Sequence, residues 1–253
     1  GIIIFFVDVT EEIQSEQIRR DFSANVSHEL KTPLTTIKGF GELLENGIFT
    51  KEEDVKKYGG MIYRESERLL YLINDIIRLS QIEEQEHVLN DKIDLLKTAH
   101  DVEEILRHKA DNREVTMTVE GEPVRIYGNQ SYITELFLNL MDNAIKYNHE
   151  GGSLKVTVGI EDGKAFAVFS DTGIGISDEH QSRIFERFYR VDKSRSKKIG
   201  GTGLGLSIVK HIVAYHSGEI QLESELEKGT TITVKLPFNE PETQQAEETA
   251  VTE

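Results

Sequence analysis

The first part of the chain is patterned as two long helices. Residues 11–46 alternate polar and apolar positions with a helical period, and only Pro33 interrupts the pattern. A second apolar series steps by three and four residues along heptad positions, with Glu65 as its one polar member. Its apolar members are Val55, Tyr58, Ile62, Leu69, Leu72, Ile76 and Leu79. The short turn at residues 46–50 predicts that the two helices form an antiparallel hairpin.

A continuous apolar seam on two helices cannot be buried by the hairpin alone. Pairing with a second copy makes a four-helix bundle that buries the seam, so we predict a homodimer. The alternative is a hairpin that packs only on its own second domain. That arrangement leaves more apolar surface in contact with water.

After a polar linker at residues 81–90, short strands and helices are mixed. The pattern predicts helices at residues 94–108, 131–146 and 204–214, and strands at residues 115–119, 154–160, 165–170 and 230–236. The pair Asp162-Gly163 predicts a hairpin turn. Because the elements do not alternate regularly as βαβ units, we expect an α/β sandwich with helices on one face of a mixed sheet.

Composition narrows the classes of partner. A length of 253 residues suits two domains, and the absence of cysteine excludes disulfides and thiolate chemistry and fits a reducing compartment. The net charge of −16 repels nucleic acid and anionic membrane surfaces, so neither is an expected partner. No run of 18 apolar residues exists, which predicts that this chain does not span a membrane. The acidic tail at residues 239–253 is predicted to be disordered.

His28 is the candidate nucleophile of the first helix. It lies one turn before Thr32 on the same helical face, and Pro33 predicts a kink just past it. Glu29 is the natural acceptor for one ring nitrogen, which leaves the other nitrogen basic enough to attack a γ-phosphate. An isolated histidine is more often an ordinary helix residue, and we interpret the other histidines that way. They are His87, His100, His108, His149, His180, His211 and His216.

Two asparagines and a glycine-flanked aspartate supply candidate nucleotide contacts. Asn139 and Asn143 are four residues apart on a predicted helix, and amide oxygens suit Mg²⁺, although both could also face solvent or cap a loop. Asp171 follows a predicted strand, where its carboxylate can accept from the exocyclic amine of adenine. Gly173 and Gly175 let the backbone approach the base. A plain turn at the end of the strand explains the same three residues equally well.

A second glycine series precedes the predicted helix at residues 204–214. Gly201, Gly203 and Gly205 offer backbone N–H groups to phosphate at a helix N-terminus. Their spacing fits neither a dinucleotide-binding fingerprint nor a Walker A loop.

Between the glycine series lies a segment that we expect to cover the nucleotide. Arg190, rather than Arg187, is expected to contact the γ-phosphate, and Phe185 and Phe188 are expected to pack. The basic stretch at residues 192–198 is typical of a mobile lid, although an ordinary solvated loop is also consistent with its lysines.

In this order, the segments around His28, Asn139, Asp171 and Gly201 resemble the two-component sensor histidine kinases over about residues 10–238. The second part resembles the Bergerat ATP-binding fold that these kinases share with gyrase-type ATPases, Hsp90 and MutL. The resemblance implies four regions. They are the terminal strand of a truncated PAS domain at residues 1–10, a dimerisation and histidine phosphotransfer hairpin at 11–86, a catalytic ATP-binding domain at 91–238 and the tail at 239–253.

The resemblance also implies roles for individual residues. ATP with Mg²⁺ would be bound by Asn143 at the metal, with Asn139 orienting the site, Lys146 at a phosphate and Tyr147 against adenine. The phosphoryl group would pass to His28 and then to an aspartate of a response regulator. Thr32 would orient a water that hydrolyses the phosphorylated regulator. The chain would be the cytoplasmic part of a membrane-anchored bacterial receptor.

The sequence departs from the family pattern at two places. Gly128-Asn129 stands where Gly-Asp is usual, and Asn still caps a helix well. Asn148-His149 replaces the common Thr-Pro after Tyr147, which predicts a changed loop above the adenine.

Two rival functions follow from the same residues. An ATP-driven clamp of the gyrase or Hsp90 class needs a glutamate as hydrolytic base where Asn139 stands, and it has no use for the His28 helix. A catalytically inactive dimeric scaffold is disfavoured, since every expected polar residue is present.

Overall fold

A computed structural model describes residues 10–49, 51–84, 89–191 and 201–238. The predicted PAS strand, the acidic tail and the basic stretch at residues 192–198 lie outside the described residues. The described chain forms two compact units, of which the first holds residues 10–77 together with 187–191 and 201–204. The rest of the described chain belongs to the second unit, which runs from Arg78 to Glu186 and from Gly205 onward.

The first unit is built on two long helices, α1 (Thr10–Glu45) and α2 (Glu52–Glu84), and the second unit begins within α2. Between them, Gly47 adopts a φ of 64°, a backbone conformation that suits glycine. The ring of Tyr58 stacks on those of Phe40 and Phe49, at centroid distances of 5.0 and 4.0 Å. The predicted helical hairpin is confirmed.

α1 is continuous through its proline. Pro33 is buried, and the helix extends three more turns beyond it to Glu45. The hydroxyl of Thr32 donates to the carbonyl oxygen of His28 at 3.2 Å, one turn earlier on the same helix. The expected kink just past the histidine therefore does not end the helix.

The apolar seam of the hairpin is unevenly covered within one chain. Leu72 and Leu79 are buried, whereas Val55 is 44% exposed. Large apolar side chains that remain exposed on α1, on α2 or in the turn between them are Ile13, Leu34, Ile48, Val55, Tyr63, Leu70, Tyr71, Ile73 and Ile77. A single hairpin thus leaves apolar surface that a second protein surface could cover.

A five-stranded mixed sheet forms one layer of the second unit. Its strands, in spatial order, are β2 (Thr116–Gly121), β4 (Ser153–Glu161), β5 (Lys164–Asp171), β7 (Gly229–Pro237) and β6 (Glu219–Glu225). Only the β2–β4 pair is parallel. A separate antiparallel pair joins β1 (Asp91–Asp94) to β3 (Arg125–Gly128).

Helices α3 (Leu95–Asp111), α4 (Gln130–Lys146) and α6 (Gly205–Tyr215) form the other layer, and a short α5 (Asp178–Gln181) follows β5. α4 lies between α3 and α6 and packs on β4 and β5. Its Phe137 meets Phe169 of β5 edge to face, with ring centroids 5.1 Å apart. The predicted class, a helical hairpin followed by an α/β sandwich with a mixed sheet, is confirmed.

Several elements differ from the sequence predictions. The strands β1, β3 and β6 and the helix α5 were not predicted. The predicted linker at residues 81–90 begins as helix, because α2 continues to Glu84 and buries Ile82. Within the residues that the structure describes, no helix is both long and apolar enough to cross a bilayer.

Side chains from two elements fix the start of α4. Asn129 caps the helix, because its side-chain oxygen accepts from the N–H of Tyr132 at 3.2 Å. The buried His216, just after α6, accepts from the N–H of Asn129 through Nε2 at 3.1 Å, while its Nδ1 lies 2.8 Å from the carbonyl oxygen of Ile212. The asparagine that replaces the usual aspartate therefore keeps the cap.

Candidate functional site

His28 lies on an exposed part of α1. Within the described parts of the chain, its imidazole makes no hydrogen bond or ion pair. Both ring nitrogens are thus open to a reactant from outside the hairpin. Thr32 follows one turn later, with its hydroxyl on the His28 carbonyl oxygen.

Glu29 is engaged with the second helix of the hairpin. Its carboxylate lies 3.3 Å from a guanidinium nitrogen of Arg68, whose guanidinium also lies 3.7 Å from the carboxylate of Glu65. Consecutive helical residues do not face each other, which explains why Glu29 reaches α2 rather than the ring of His28. The role of Glu29 as acceptor for the imidazole stays a prediction.

The two asparagines of α4 lie on the half-buried side of the helix. The side-chain nitrogen of Asn139 donates to the backbone oxygen of Glu135 at 3.0 Å and to its carboxylate at 3.1 Å. Its oxygen faces the start of α6, because a β-carbon built on Gly205 would lie only 2.6 Å from it. Asn143 follows one turn later on α4. The structure therefore brings the first asparagine next to the last glycine of the second series.

α4 ends at Lys146 and Tyr147. The Lys146 ammonium lies 5.4 Å from the centre of the Tyr147 ring, and Arg113 donates to the carbonyl oxygen of Lys146 at 2.8 Å. A cation and an aromatic face are thus adjacent at the end of the helix that carries the asparagines.

Asp171 is the last residue of β5. Its carboxylate accepts from the backbone N–H of Gly173 at 2.8 Å and from that of Thr230 on the neighbouring strand. Burial raises the pKa of the Asp171 carboxyl above its ordinary value, and these two N–H donors oppose the rise. The carboxylate is therefore held in place and poorly hydrated, which suits a group that accepts a hydrogen bond from a ligand.

Backbone hydrogen bonds join the loop after Asp171 to the end of α4. The N–H of Ile174 donates to the carbonyl oxygen of Tyr147 at 3.0 Å, and the N–H of Glu227 donates to that of Ile174 at 2.8 Å. A β-carbon on Gly173 would lie 2.5 Å from the same Tyr147 oxygen. The structure thus brings Tyr147, Asp171 and Gly173 together.

Asn148 is a functional-site neighbour whose role the sequence did not reveal. Its side chain donates to the carbonyl oxygen of Ser153 at 3.0 Å and accepts from the hydroxyl of Thr172 at 3.3 Å. This residue replaces the common threonine of the family, and here it ties the turn after Tyr147 to β4 and to the Asp171 loop. The unusual pair Asn148-His149 was the only signal for it in the sequence.

Two glycines permit close backbone crossings around the loop. Gly175 adopts a φ of 64°, and a β-carbon on it would lie 1.9 Å from the carbonyl oxygen of Glu225. Gly229, which was not predicted as a site residue, has a φ of 111°, and its β-carbon would lie 2.0 Å from the carbonyl oxygen of Asp171. Both positions therefore exclude any side chain.

We expect Gly175→Ala to lower the free energy of unfolding by about 3 kcal/mol or more, because left-handed strain adds to a backbone clash. Gly151→Ala is the matched control, since Gly151 has a φ of 76° but nothing within 4 Å of a built β-carbon. That control should lose only about 1 kcal/mol. Urea unfolding measures both values. Equal decreases in the free energy of unfolding in the two variants would show that the backbone clash at Gly175 adds nothing to the strain.

The glycine series and the segment before it belong partly to the first unit. The N–H of Phe188 donates to the carbonyl oxygen of Gly203 at 2.9 Å, and the Thr202 hydroxyl donates to the carboxylate of Asp75 on α2 at 2.6 Å. Phe188 has a φ of 64° and packs on Phe22 of α1, with ring centroids 5.8 Å apart. This non-glycine residue is held in a strained conformation.

The predicted site residues thus divide between the units. Those in the first unit are His28, Glu29, Thr32, Arg190, Gly201 and Gly203. Those in the second are Asn139, Asn143, Lys146, Tyr147, Asp171, Gly173, Gly175 and Gly205. Arg190 is half-buried. Its expected contact with the γ-phosphate stays a prediction.

Two family models match the chain, one in each half. Residues 18–85 match the His Kinase A (phospho-acceptor) domain, and residues 128–240 match the histidine kinase-, DNA gyrase B- and HSP90-like ATPase. The sensor histidine kinase WalK of Bacillus subtilis is 36% identical over 256 residues, which cover 95% of this chain and 40% of that protein. The sensor protein SrrB of Staphylococcus aureus is 34% identical over 94% of this chain and 41% of its own length.

Solved structures agree with these relatives. The histidine kinase ThkA, in complex with the response regulator protein TrrA, has a TM-score of 0.70 and 26% identity over 93% of this chain and 69% of that one. The histidine kinase AdeS of Acinetobacter baumannii has a TM-score of 0.68 and 26% identity over 84% of this chain and 98% of that one. The chain spans about two fifths of the length of the curated relatives WalK and SrrB. It belongs to the sensor histidine kinase family, and it carries the phosphoacceptor and ATPase domains of that family.

Proposed function

We propose that this chain is the kinase core of a two-component receptor, which transfers the γ-phosphoryl group of ATP to His28. The observation that carries the proposal is the open imidazole of His28, in a chain whose second unit holds the half-buried Asp171 carboxylate beside Tyr147. An exposed histidine alone would carry nothing. Its place in a phosphoacceptor domain that is followed by an ATPase domain gives it a reaction partner.

In this proposal the adenine binds at the end of β5. The Asp171 carboxylate accepts from the exocyclic amine, and the close packing of Gly173 and Gly175 on neighbouring backbone holds the loop beside that carboxylate. The ring of Tyr147 supplies an apolar face, and the ammonium of Lys146 supplies a positive charge for a phosphate. Gly201, Gly203 and Gly205 supply backbone N–H groups for the remaining phosphates.

The chemistry of the asparagines fits a magnesium ion. The Asn139 nitrogen is taken up by Glu135, which leaves its oxygen directed toward the start of α6, and Asn143 adds a second amide one turn on. Amide oxygens are hard ligands of the kind that Mg²⁺ accepts. Asn143 would hold the ion, which would neutralise phosphate charge when bound.

The transfer itself is a substitution at phosphorus. A lone pair of the neutral His28 ring forms the N–P bond while the bond from the γ-phosphorus to the bridging oxygen breaks, so ADP leaves with the electron pair. The ring then loses its remaining N–H proton to an acceptor, for which Glu29 is the nearest carboxylate in sequence. Arg190 stabilises the charge on the transferring group.

The product phosphohistidine serves as donor to an aspartate of a response regulator receiver domain. The complex of the similar kinase ThkA with the response regulator protein TrrA supports this choice of partner. The exposed apolar side chains of the hairpin support a homodimeric four-helix bundle. In the same proposal, Thr32 orients a water for the phosphatase reaction, and the whole protein is a membrane-anchored bacterial receptor with this core in the cytoplasm.

Incubation with ATP labelled at the γ-phosphate tests the proposal. The protein should acquire label that is labile in acid and stable in base, as expected of a phosphohistidine, and should pass it to an isolated receiver domain. An ATP-driven clamp would instead release free phosphate without labelling the protein. An inactive scaffold would neither become labelled nor release phosphate. Either of these two outcomes would refute the proposed kinase activity.

A further inference from the structure

The amide of Asn139 has only one orientation available in this structure. Its Nδ2 lies 3.0 Å from the backbone oxygen of Glu135 and 3.1 Å from Oε1 of the same residue. A carbonyl oxygen and an ionised carboxylate can only accept, so the amide oxygen of Asn139 would be repelled from that place. Glu135 therefore decides that the oxygen, and not the nitrogen, faces Gly205.

Glu135 is in turn held by Arg78, from the last turns of α2. Its Oε2 lies 2.5 Å from Nη1 of Arg78, and its side chain is only 15% exposed. The cost of taking this carboxylate out of water is offset by its charge-assisted contact with the guanidinium. The two oxygens of Glu135 are thus divided between the guanidinium and the amide of Asn139.

The charge on Glu135 matters for the amide. A protonated or amidated side chain at this position could donate a hydrogen bond as well as accept one. It could then pair with Asn139 in either orientation, and the nitrogen could turn toward Gly205. The N–H groups of the amide carry partial positive charge, so at that place they would repel a cation, which needs oxygen ligands.

We infer that Arg78 and Glu135 are positioning residues, which fix the Asn139 amide with its oxygen toward the start of α6 and thereby set the affinity for the divalent cation of the nucleotide. The inference rests on the proposed function for its cation, and on the contacts alone for the orientation of Asn139. Neither residue touches the substrate. Both act through Asn139.

The test compares Arg78→Gln and Glu135→Gln with Glu104→Gln. The control removes the carboxylate of another ion pair, Arg107–Glu104 at 2.9 Å, which is exposed and has no asparagine attached. The side-chain amide resonances of Asn139, assigned by their loss in Asn139→Asp, are recorded in the nucleotide-free protein. They should move in both test variants and stay in place in the control.

The second measurement is the Mg²⁺ concentration at the midpoint of binding of a non-hydrolysable ATP analogue. It should rise about 10-fold in Arg78→Gln and Glu135→Gln, the usual loss when a residue that orients a group at a metal site is removed. Affinity for the analogue in the presence of EDTA should stay unchanged. Arg78→Lys keeps the positive charge and should return both readouts toward the wild-type values.

Asn139 resonances that stay in place in both test variants would overturn the orientation. A Mg²⁺ midpoint that stays at the wild-type value while the resonances move would overturn the effect on the cation. If the wild-type protein binds no analogue at all, the proposed function is wrong. The inferred effect on cation affinity is then wrong too, because it depends on nucleotide binding. The resonances of the free protein still decide whether Arg78 and Glu135 orient Asn139.

Discussion

His28→Gln is expected to lower phosphoryl incorporation from labelled ATP by at least about three orders of magnitude, because the substitution removes the nucleophile itself. Glutamine keeps a polar side chain of similar reach but offers no basic nitrogen. His28 is exposed and makes no side-chain hydrogen bond in the described parts of the chain, so the fold should not change. Nucleotide affinity should also stay the same, because the adenine contacts that we propose lie in the other unit.

The matched control is His108→Gln. His108 is also an exposed helical histidine, on α3, and should be replaceable without loss of label. Autoradiography after neutral electrophoresis measures incorporation, and binding of a fluorescent ATP analogue measures the nucleotide site. Acid-labile label that persists in His28→Gln would place the phosphoacceptor on a different histidine.

Asp171→Asn is expected to weaken binding of adenine nucleotide by about 100-fold, since a hydrogen bond to a charged group contributes roughly 1.5–3 kcal/mol. The amide that replaces the carboxylate must turn its oxygen toward the N–H of Gly173, so its nitrogen meets other donors. Calorimetric titration with an ATP analogue measures the change. Asp162→Asn is the control, because that residue sits in the exposed hairpin turn between β4 and β5.

The same substitution should have little effect on stability at neutral pH. Burial raises the pKa of the Asp171 carboxyl, so the folded protein holds this proton more tightly than the unfolded chain. The stabilising contribution is fully present below the unfolded pKa and is lost as pH rises through the folded value. At neutral pH, Asp171→Asn escapes the cost of burying a charge but no longer accepts from both backbone N–H groups, so the two effects oppose each other and its stability toward urea should stay within about 1 kcal/mol of the wild type.

The stability of the asparagine variant relative to the wild type should fall as pH falls toward the ordinary carboxyl pKa. Urea unfolding at several pH values measures this difference. A wild-type protein that loses stability relative to Asp171→Asn on acidification would contradict the raised pKa. Weak nucleotide binding together with undiminished stability would show that this carboxylate is kept for its ligand rather than for the fold.

The sequence predicted the long elements well, and the structure brings three of the predicted site residues, Tyr147, Asp171 and Gly173, together. The helical period of α1 and α2 extends over many turns, and the glycine-rich turn after Asp171 marks clearly where the preceding strand ends. The strands β1 and β3 have only four residues each, too few for a period to be recognised. β6 alternates in burial, but it lies at the edge of the sheet and carries three glutamates, which hide the strand pattern.

Pairings between distant elements were not predictable. Glu29 meets Arg68, and Glu135 meets Arg78, only because helices pack in a particular register, and one sequence carries no direct record of that register. Gly229 reads as an ordinary turn glycine until the structure places it against the carbonyl oxygen of Asp171. The residues that we propose for the chemistry were therefore easier to select from the sequence than the residues that we propose to orient them.

The position of β7 has a consequence for how the protein is made. This strand lies between β5 and β6, although it is the last strand of the described chain, and its Thr230 supplies one of the two backbone donors to Asp171. While a ribosome is still translating, β5 has an open edge, and the aspartate lacks half of its support. The adenine site that we propose is therefore complete only after residue 237 has left the exit tunnel. On this proposal, nucleotide binding would begin only when synthesis of the sheet is complete.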